Sequence, residues 1–151
     1  FERPIDVGRS FEEVCATFGE RYPAADISLE VADGPWFVAG NCLEEAFTEL
    51  VENAVLHQES GAIEVRVTVA PDETTDRIQV RIVDDGPGIP TEIREMLEEG
   101  KETPLKHGDG LGLWLASWVV TLVGGGIELD AGHETGSAVT LTLPTVDGPA
   151  T

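Results

Sequence analysis

Residues 63–86 read IEVRVTVAPDETTDRIQVRIVDDG, two runs of alternating apolar and polar side chains separated by a polar stretch, Pro71–Asp76. Such alternation is typical of strands that bury one face and expose the other. Strands joined by so short a connection pair antiparallel. The sequence therefore predicts two neighbouring strands of one sheet, and the second strand ends at two carboxylates, Asp84 and Asp85.

Helices and further strands are predicted on both sides of this pair. The predictions depend on helical or alternating periodicity, on Ser10 as a helix cap and on Gly124 as a helix stop. In chain order they are a helix over 11–21, a hairpin of strands 27–32 and 36–39, a helix over 42–57, a helix over Leu111–Val123, and strands Ile127–Leu129 and Val139–Leu143. This order predicts an α+β fold, a two-layer sandwich with a mainly antiparallel mixed sheet and the helices on one face.

The composition is that of one globular domain. The 151 residues are 41% hydrophobic and 25% charged. We expect one domain over residues 1–146 and a frayed tail over 147–151. No signal pattern is present and no apolar run approaches the roughly 20 residues of a membrane span, so a cytoplasmic protein without membrane contact, or the soluble piece of a larger one, is expected. Cys15 and Cys42 are too few for a disulfide framework or a zinc site.

The charge balance is strongly acidic. Twenty-nine acidic residues face nine basic ones, which gives a net charge of −20. A nucleic-acid partner is not expected, because phosphate binding needs a basic surface. Self-repulsion of this size destabilises a compact fold unless salt screens it. We therefore expect a host with a salty cytoplasm; the alternative is an ordinary acidic protein.

Three clusters of residues can carry chemistry, and the first lies on the helix predicted over 42–57. Glu49, Asn53 and His57 are spaced four residues apart, so they share one face of that helix. The amide oxygen of Asn53 suits Mg²⁺, which also takes substrate phosphates. The carboxylate of Glu49 can orient or deprotonate an attacking group through water. The alternative interpretation is a solvated helix face.

The second cluster, Asp84-Asp85-Gly86-Pro87-Gly88, follows the strand at 78–82 directly. Glycines allow a close approach of the backbone to a ligand. A carboxylate fixed at a strand end accepts a hydrogen bond from the exocyclic amino group of adenine, where guanine offers a carbonyl group instead. An ordinary Asp-Gly turn is the alternative.

The third cluster, Gly108-Asp109-Gly110-Leu111-Gly112, opens an apolar helix and follows Lys106 and His107. Main-chain N–H groups at a helix start bind anions. No Gly-Lys-Ser/Thr follows, so the cluster is not a P-loop, and the glycine spacing also differs from the dinucleotide fingerprint. The alternative is a glycine loop without a ligand.

In this order the clusters resemble the N, G1 and G2 boxes of the ATPase superfamily that joins gyrase, Hsp90, histidine kinases and MutL. The element order is similar to that family's Bergerat fold. The segments Gly124–Leu129 and Gly136–Pro144 look most like the C-terminal part of the catalytic, ATP-binding domain of sensor histidine kinases. The acidic composition and Glu102–Leu105 are similar to sensor kinases of halophilic archaea.

The resemblance implies roles for these residues, with ATP and Mg²⁺ as cofactors. Asn53 would ligate Mg²⁺, and Asp84 would bind the adenine amino group. The glycines would let the chain pass close to the nucleotide, and residues 99–110 would form a lid over it. The glycines concerned, with the leucine between the last two, are Gly86, Gly88, Gly108, Gly110, Leu111 and Gly112.

Two positions depart from the usual pattern of histidine kinases. A Lys or Arg often follows the N-box asparagine by three residues, but here that residue is Leu56, so Lys106 is the candidate for the missing phosphate contact. His57 stands where an aromatic ring often lies, and it would stack on the nucleotide, reach a phosphate or simply pack.

The resemblance implies a protein-histidine kinase domain that needs partners. The partners would be a dimerisation domain bearing the acceptor histidine and a response regulator. Residues 1–9 are too short for that domain, so we expect a piece of a longer kinase, with little activity alone. The alternatives are an anti-sigma-factor-type serine kinase with Glu49 as base, and a degenerate domain used only for protein contacts.

Overall fold

The computed structural model describes helices and strands in the order expected for a two-layer α+β fold. It describes residues 3–32, 34–40, 43–56, 63–72, 76–85, 111–130 and 137–147. The elements in these ranges are β1 (Pro4–Asp6), α1 (Val7–Arg21), β2 (Ala25–Val31), β3 (Phe37–Ala39), α2 (Leu43–Leu56), β4 (Ile63–Asp72), β5 (Arg77–Asp84), α3 (Leu111–Leu122), β6 (Gly126–Asp130) and β7 (Ser137–Pro144). The lid expected over residues 99–110 lies outside them.

In the described part of the chain, the main sheet has five strands in the order β2-β4-β5-β7-β6, with β5 at its centre. Of these five strands, β2 and β4 pair in parallel and the other neighbours pair antiparallel, so the expected mainly antiparallel mixed sheet is confirmed. The strand pair predicted at 63–82 is β4 and β5, which pair from Val65 opposite Asp84 to Asp72 opposite Arg77. The expected turn was placed two residues early, because Pro71 still belongs to β4.

The predicted hairpin of strands 27–32 and 36–39 is wrong. β2 pairs with β4 in parallel, while β3 pairs antiparallel with β1 in a separate two-stranded sheet. Alternation identifies the buried face of a strand but not its neighbour. The parallel pairing is possible because α2 lies between β2 and β4 in the chain and returns it to the same end of the sheet.

The first helix begins four residues earlier than the sequence predicts. Asp6, not Ser10, caps α1, because its Oδ1 accepts a hydrogen bond from the main-chain N–H of Arg9 at 3.3 Å. Ser10 is 7% exposed and lies inside the helix. The sequence does not distinguish the two positions, because Ser and Asp are both good caps and tertiary packing decides between them.

The helices cover one face of the main sheet, as expected. Alternate residues of β4, β5 and β7 point into the same core as the buried faces of the three helices. Fully or almost fully buried side chains from the sheet are Val65, Val67, Val69, Ile78, Val80, Ile82, Leu141 and Leu143. Those from the helices include Phe11, Phe18, Phe47, Leu50, Val51, Ala116 and Val120.

The third helix ends at the glycines that the sequence marks as its stop. Gly124 has a φ of 85°, and its N–H donates to the carbonyl of Thr121 while the N–H of Gly125 donates to that of Val120. These two bonds form a Schellman motif. The side chain of Arg77 in β5 donates a hydrogen bond to the carbonyl of Gly124 at 2.9 Å. This bond joins the end of α3 to the central strand of the sheet.

Within the described residues, no helix combines the length and the apolar character needed to cross a membrane. Cys15 is a free, half-buried thiol, and burial raises its pKa to about 11, so it is protonated at neutral pH. Cys42 lies outside the described residues.

Candidate functional site

The helix that carries the first cluster, α2, is central to the helical layer. It packs against α1 and α3 and covers β4 and β5. Glu49 lies half-buried in α2, and the backbone of Asn53 follows one turn later, so both residues stand on one face of the helix. His57 follows the end of α2 and lies outside the described residues.

Glu49 has a raised pKa. Burial is the main cause, because it disfavours the charged carboxylate, and the negative charge of Glu52 adds to the shift. Glu52 forms a loose, largely exposed ion pair with Arg21 of α1, with an N–O distance of 3.8 Å. A carboxyl group with a raised pKa is a better proton acceptor than an ordinary one when it is ionised.

Asp84 ends the central strand on the side of the helices. It has the same parity in β5 as the buried Ile78, Val80 and Ile82, so strand alternation directs it to the helical layer. It lies half-buried, opposite Val65 of β4. Beyond this pair, the main-chain N–H of Asp85 donates to the carbonyl of Glu64 at 3.2 Å, and the N–H of Glu64 donates to the side-chain Oδ1 of Asp85 at 3.0 Å.

Of the third cluster, only the last two residues lie in the described part of the chain. Leu111 and Gly112 form the first turn of α3, which packs on α2. The helical layer therefore brings together the element that carries Asn53, the element that Leu111 begins and the strand that Asp84 ends. The remaining expected site residues, Gly86, Gly88, Lys106, Gly108 and Gly110, lie outside the described residues.

The donor set on α2 suits a hard cation that shares its ligands with a substrate. Asn53 offers an amide oxygen, a ligand type that Mg²⁺ takes in proteins. Among the described residues, no group of three or more His, Cys, Asp or Glu side chains is placed to hold a metal ion. A single amide oxygen suits an ion that takes its other ligands from phosphate oxygens and water.

Residues 40–147 match the family described as histidine kinase-, DNA gyrase B- and HSP90-like ATPases. The chain belongs to this ATPase family. The matched span contains α2, β5 and α3, which carry Asn53, Asp84 and Leu111. The superfamily and the fold that the three motifs implied are therefore confirmed.

Several members of the ATPase family that resemble this chain are sensor kinases. The adaptive-response sensory kinase SasA of Rippkaea orientalis is 36% identical over 107 residues, which cover 68% of this chain and 27% of that protein. The mycobacterial sensor histidine kinase MprB superposes with a TM-score of 0.78 at 25% identity, over 99% of this chain and 100% of that one. Full-length ShkA in complex with AMPPNP superposes with a TM-score of 0.78 at 20% identity, over 99% of this chain and 32% of that one, which shows a common fold. This chain thus spans little more than a quarter of the length of the SasA that it matches.

Sequence reasoning missed one feature of the chain, a groove of about 530 Å³ at β4 and β5. Its lining consists of Glu64, Arg66, Thr68, Arg81, Val83, Asp84 and Asp85. Arg66 and Arg81 stand on the face of the sheet opposite the helices because they alternate with core residues. That alternation was visible in the sequence, but the pairing of the two strands was needed to bring the two arginines together.

Proposed function

We propose that residues 1–146 form the ATP-binding catalytic domain of a sensor histidine kinase, which holds Mg-ATP for phosphoryl transfer to a histidine on a separate domain. The observation that carries this proposal is the position of Asp84. Asp84 ends the central strand, and this strand packs against the helix that carries Asn53. This arrangement occurs in a chain of the ATPase family whose relatives are named sensor kinases.

In this proposal Asp84 and Asn53 act at opposite ends of the nucleotide. Asp84 is an acceptor only, so it selects the amino group of adenine over the carbonyl group of guanine. The amide oxygen of Asn53 holds Mg²⁺, which neutralises phosphate charge when it is bound. Glu49, one turn earlier and with a raised pKa, accepts a proton from the attacking group through water.

The loop residues contribute backbone contacts and charge. Main-chain N–H groups at the start of α3, near Leu111 and Gly112, bind phosphate oxygens, and Lys106 supplies the cation that Leu56 does not. His57 contacts the nucleotide by stacking or through a phosphate. We assign residues 99–110 to the lid over the nucleotide that the resemblance implies.

The proposed partners are domains that this chain does not contain. The acceptor histidine belongs to a dimerisation domain of the same kinase, and a response regulator receives the phosphoryl group from it. We place the domain in the cytoplasm of a host with a high salt concentration. The net charge of −20 supports this placement, because such a charge needs screening by ions.

The acceptor can be identified by the stability of the phosphorylated product. The chain is incubated with Mg²⁺, with ATP labelled on its γ-phosphate and with the dimerisation domain that bears the acceptor histidine, and the Asp84→Asn variant is the control. We expect label on the dimerisation domain that is lost in acid, because phosphohistidine is acid-labile. Label that survives acid would contradict histidine transfer and favour the serine kinase alternative.

A further inference from the structure

The helix α3, which packs on α2 and β6, presents an apolar stripe to solvent. Trp118 is 53% exposed, and Leu122, one turn later, is 58% exposed. Trp114, one turn earlier, is partly buried and packs against the core. Single exposed apolar residues are ordinary on a protein surface, but large residues at spacings of four on one helix form a continuous stripe.

The two tryptophans of the stripe support each other. Their rings are nearly parallel, with an interplanar angle of 7° and centroids 6.1 Å apart. Because Trp114 also packs against the core, the exposed ring of Trp118 stacks on a side chain that is itself held in place. An aromatic side chain that is ordered beforehand loses little conformational entropy when a partner covers it.

Two small side chains, Ser117 and Thr121, lie beside the stripe. Together with Trp114, Trp118 and Leu122 they follow the spacing i, i+3, i+4, i+7, i+8, which is typical of a helix face that packs against another element. The hydroxyl of Thr121 donates to the carbonyl of Ser117 at 2.8 Å. Its donor is therefore satisfied within the helix, and covering this face would not leave it unpaired.

The charge distribution indicates what can cover the stripe. The chain has a net charge of −20, yet no charged residue occurs between Asp109 and Glu128. Two copies of so acidic a chain repel each other where their charged surfaces meet, so the neutral helix is where they can approach with the least repulsion. A basic partner gains little here, because α3 offers no carboxylate to receive it. A second copy offers a neutral apolar surface of the same shape.

We propose that α3 binds α3 of a second copy of this chain in an antiparallel pair, with a twofold axis at Trp118. The two Trp118 rings meet at the axis, and Trp114 of each copy faces Leu122 of the other. A twofold contact of this kind is self-complementary. So few side chains cover less than the roughly 800 Å² per partner of a stable complex, so the contact is weak and reversible. None of these residues is assigned to the nucleotide, so the proposal does not rest on the proposed function.

The three tryptophans of the chain report on this contact separately. Their indole N–H resonances are followed by heteronuclear NMR while the chain is diluted from millimolar to micromolar concentration in molar KCl. We expect the resonances of Trp114 and Trp118 to shift with concentration. The resonance of Trp36 should stay fixed, because its indole N–H donates to the carbonyl of Ala32 at 3.0 Å, outside α3.

Substitutions on the stripe test which residues make the contact. We expect Trp118→Ala to weaken the association about tenfold or more, because tryptophans at the centre of a contact carry much of the binding energy. Leu122→Ala should act in the same direction. Val146→Ala is the matched control, because it truncates another exposed apolar side chain, 41% exposed and outside α3, and it should change nothing. Circular dichroism verifies that each variant is folded.

Three results of these titrations would overturn the proposal. They are the absence of any concentration-dependent shift in the folded wild type, a shift of Trp36 as large as that of Trp118, and a loss of association in Val146→Ala equal to that in Trp118→Ala. The register has its own test in a mixture of labelled and unlabelled chains. We expect an intermolecular contact between Trp114 and Leu122, and a contact between two Trp114 rings would contradict the antiparallel pair.

Two further measurements exclude other kinds of contact. Association should be stronger in molar than in dilute KCl, because salt screens the repulsion between the copies. Association that weakens with salt would show that opposite charges hold the copies together and would overturn the neutral contact. Phosphatidylcholine vesicles are expected to leave the tryptophan fluorescence unchanged. A blue shift with vesicles, together with no dependence on chain concentration, would make a lipid surface the occupant of the stripe.

Discussion

The rings of Phe11 and Phe47 stack with their centroids 4.4 Å apart and their planes inclined by 28°. Both side chains are fully buried, and the contact joins α1 to α2. Because α2 carries Glu49 and Asn53, this aromatic pair positions the helix on which the proposed site depends. The N-terminal helix is thus part of the support of the site, although no expected site residue lies on it.

We expect Phe11→Ala to lower the free energy of unfolding by about 3–5 kcal/mol, because it removes a stacked ring and leaves a cavity. Leu122→Ala is the control. It also truncates a large apolar side chain, but Leu122 is 58% exposed, so a change below about 1 kcal/mol is expected. Urea unfolding followed by circular dichroism measures both. Equal effects of the two substitutions would contradict the role of the aromatic pair.

The sequence predicts the elements with strong periodicity better than it predicts their pairing. The helix expected over 42–57 is Leu43–Leu56, and the helix expected over Leu111–Val123 is Leu111–Leu122. The pairing of β2 with β4 was missed because it joins strands that are distant in the chain, where alternation gives no signal about neighbours. The three-residue strand Pro4–Asp6 is too short to show any period.

In the candidate site, too, the sequence predicts where a residue lies in its own element but not which other elements lie next to it. Asp84 was expected at a strand end, and the structure places it there because the apolar alternation of Arg77–Asp84 stops at that residue. The relation of Asp84 to α2 could not be predicted from periodicity, since it depends on how the helices pack on the sheet. The groove arginines were missed for the same reason.

The glycine at the end of α3 and a glycine inside α1 are expected to respond in opposite directions to alanine. Gly124→Ala should destabilise the fold by about 1–2 kcal/mol, because a φ of 85° is costly for a residue with a Cβ. Gly19→Ala should stabilise it by about 0.5–1 kcal/mol, because its Cβ would meet no other atom within 4 Å and alanine favours helices. Thermal unfolding compares the two, and shifts of the same sign would contradict this account of the helix end.

Because the pKa of Glu49 is raised, the free energy of unfolding is expected to depend on pH. The folded state binds the carboxyl proton more tightly than the unfolded state, so stability falls as pH rises from the ordinary glutamate pKa through the raised one. We expect Glu49→Gln to be more stable than the wild type at neutral pH, and the difference to disappear below the ordinary pKa. Unfolding at a series of pH values tests this, and an advantage that persists in acid would contradict it.

Glu52→Gln provides an independent test of what raises the pKa of Glu49. Removing the charge of Glu52 should lower the pKa of Glu49 without returning it to its ordinary value, because burial remains the larger cause. The carboxyl resonance of Glu49 can be titrated by NMR in both proteins. An unchanged pKa would exclude the proposed coupling between the two carboxylates.

Salt is expected to stabilise the fold. At about 1 M salt the Debye length falls to about 3 Å, so repulsion within a chain of net charge −20 is largely screened. We expect the midpoint of urea unfolding to be clearly higher in molar KCl than in dilute buffer. The same midpoint in both would mean that the charge is ordinary surface acidity and would remove the support for a salty host.

The central claim is that Asp84 selects adenine in a nucleotide site beside α2. Exchanging this acceptor for an amide that also donates should weaken ATP binding by about 1–3 kcal/mol, the range for an unsatisfied buried polar group. Asn53→Asp is the comparison variant, and it should alter the dependence on Mg²⁺ while the preference for adenine persists.

Calorimetric titration with ATP and with GTP, with and without Mg²⁺ in molar KCl, tests this claim most directly when the wild type and Asp84→Asn are compared. We predict saturable binding that prefers ATP over GTP in the wild type and is weakened in the variant. Equal ATP affinity in the two proteins would contradict the assignment of Asp84. The absence of nucleotide binding by the folded wild type would contradict the function itself and favour a domain used only for protein contacts.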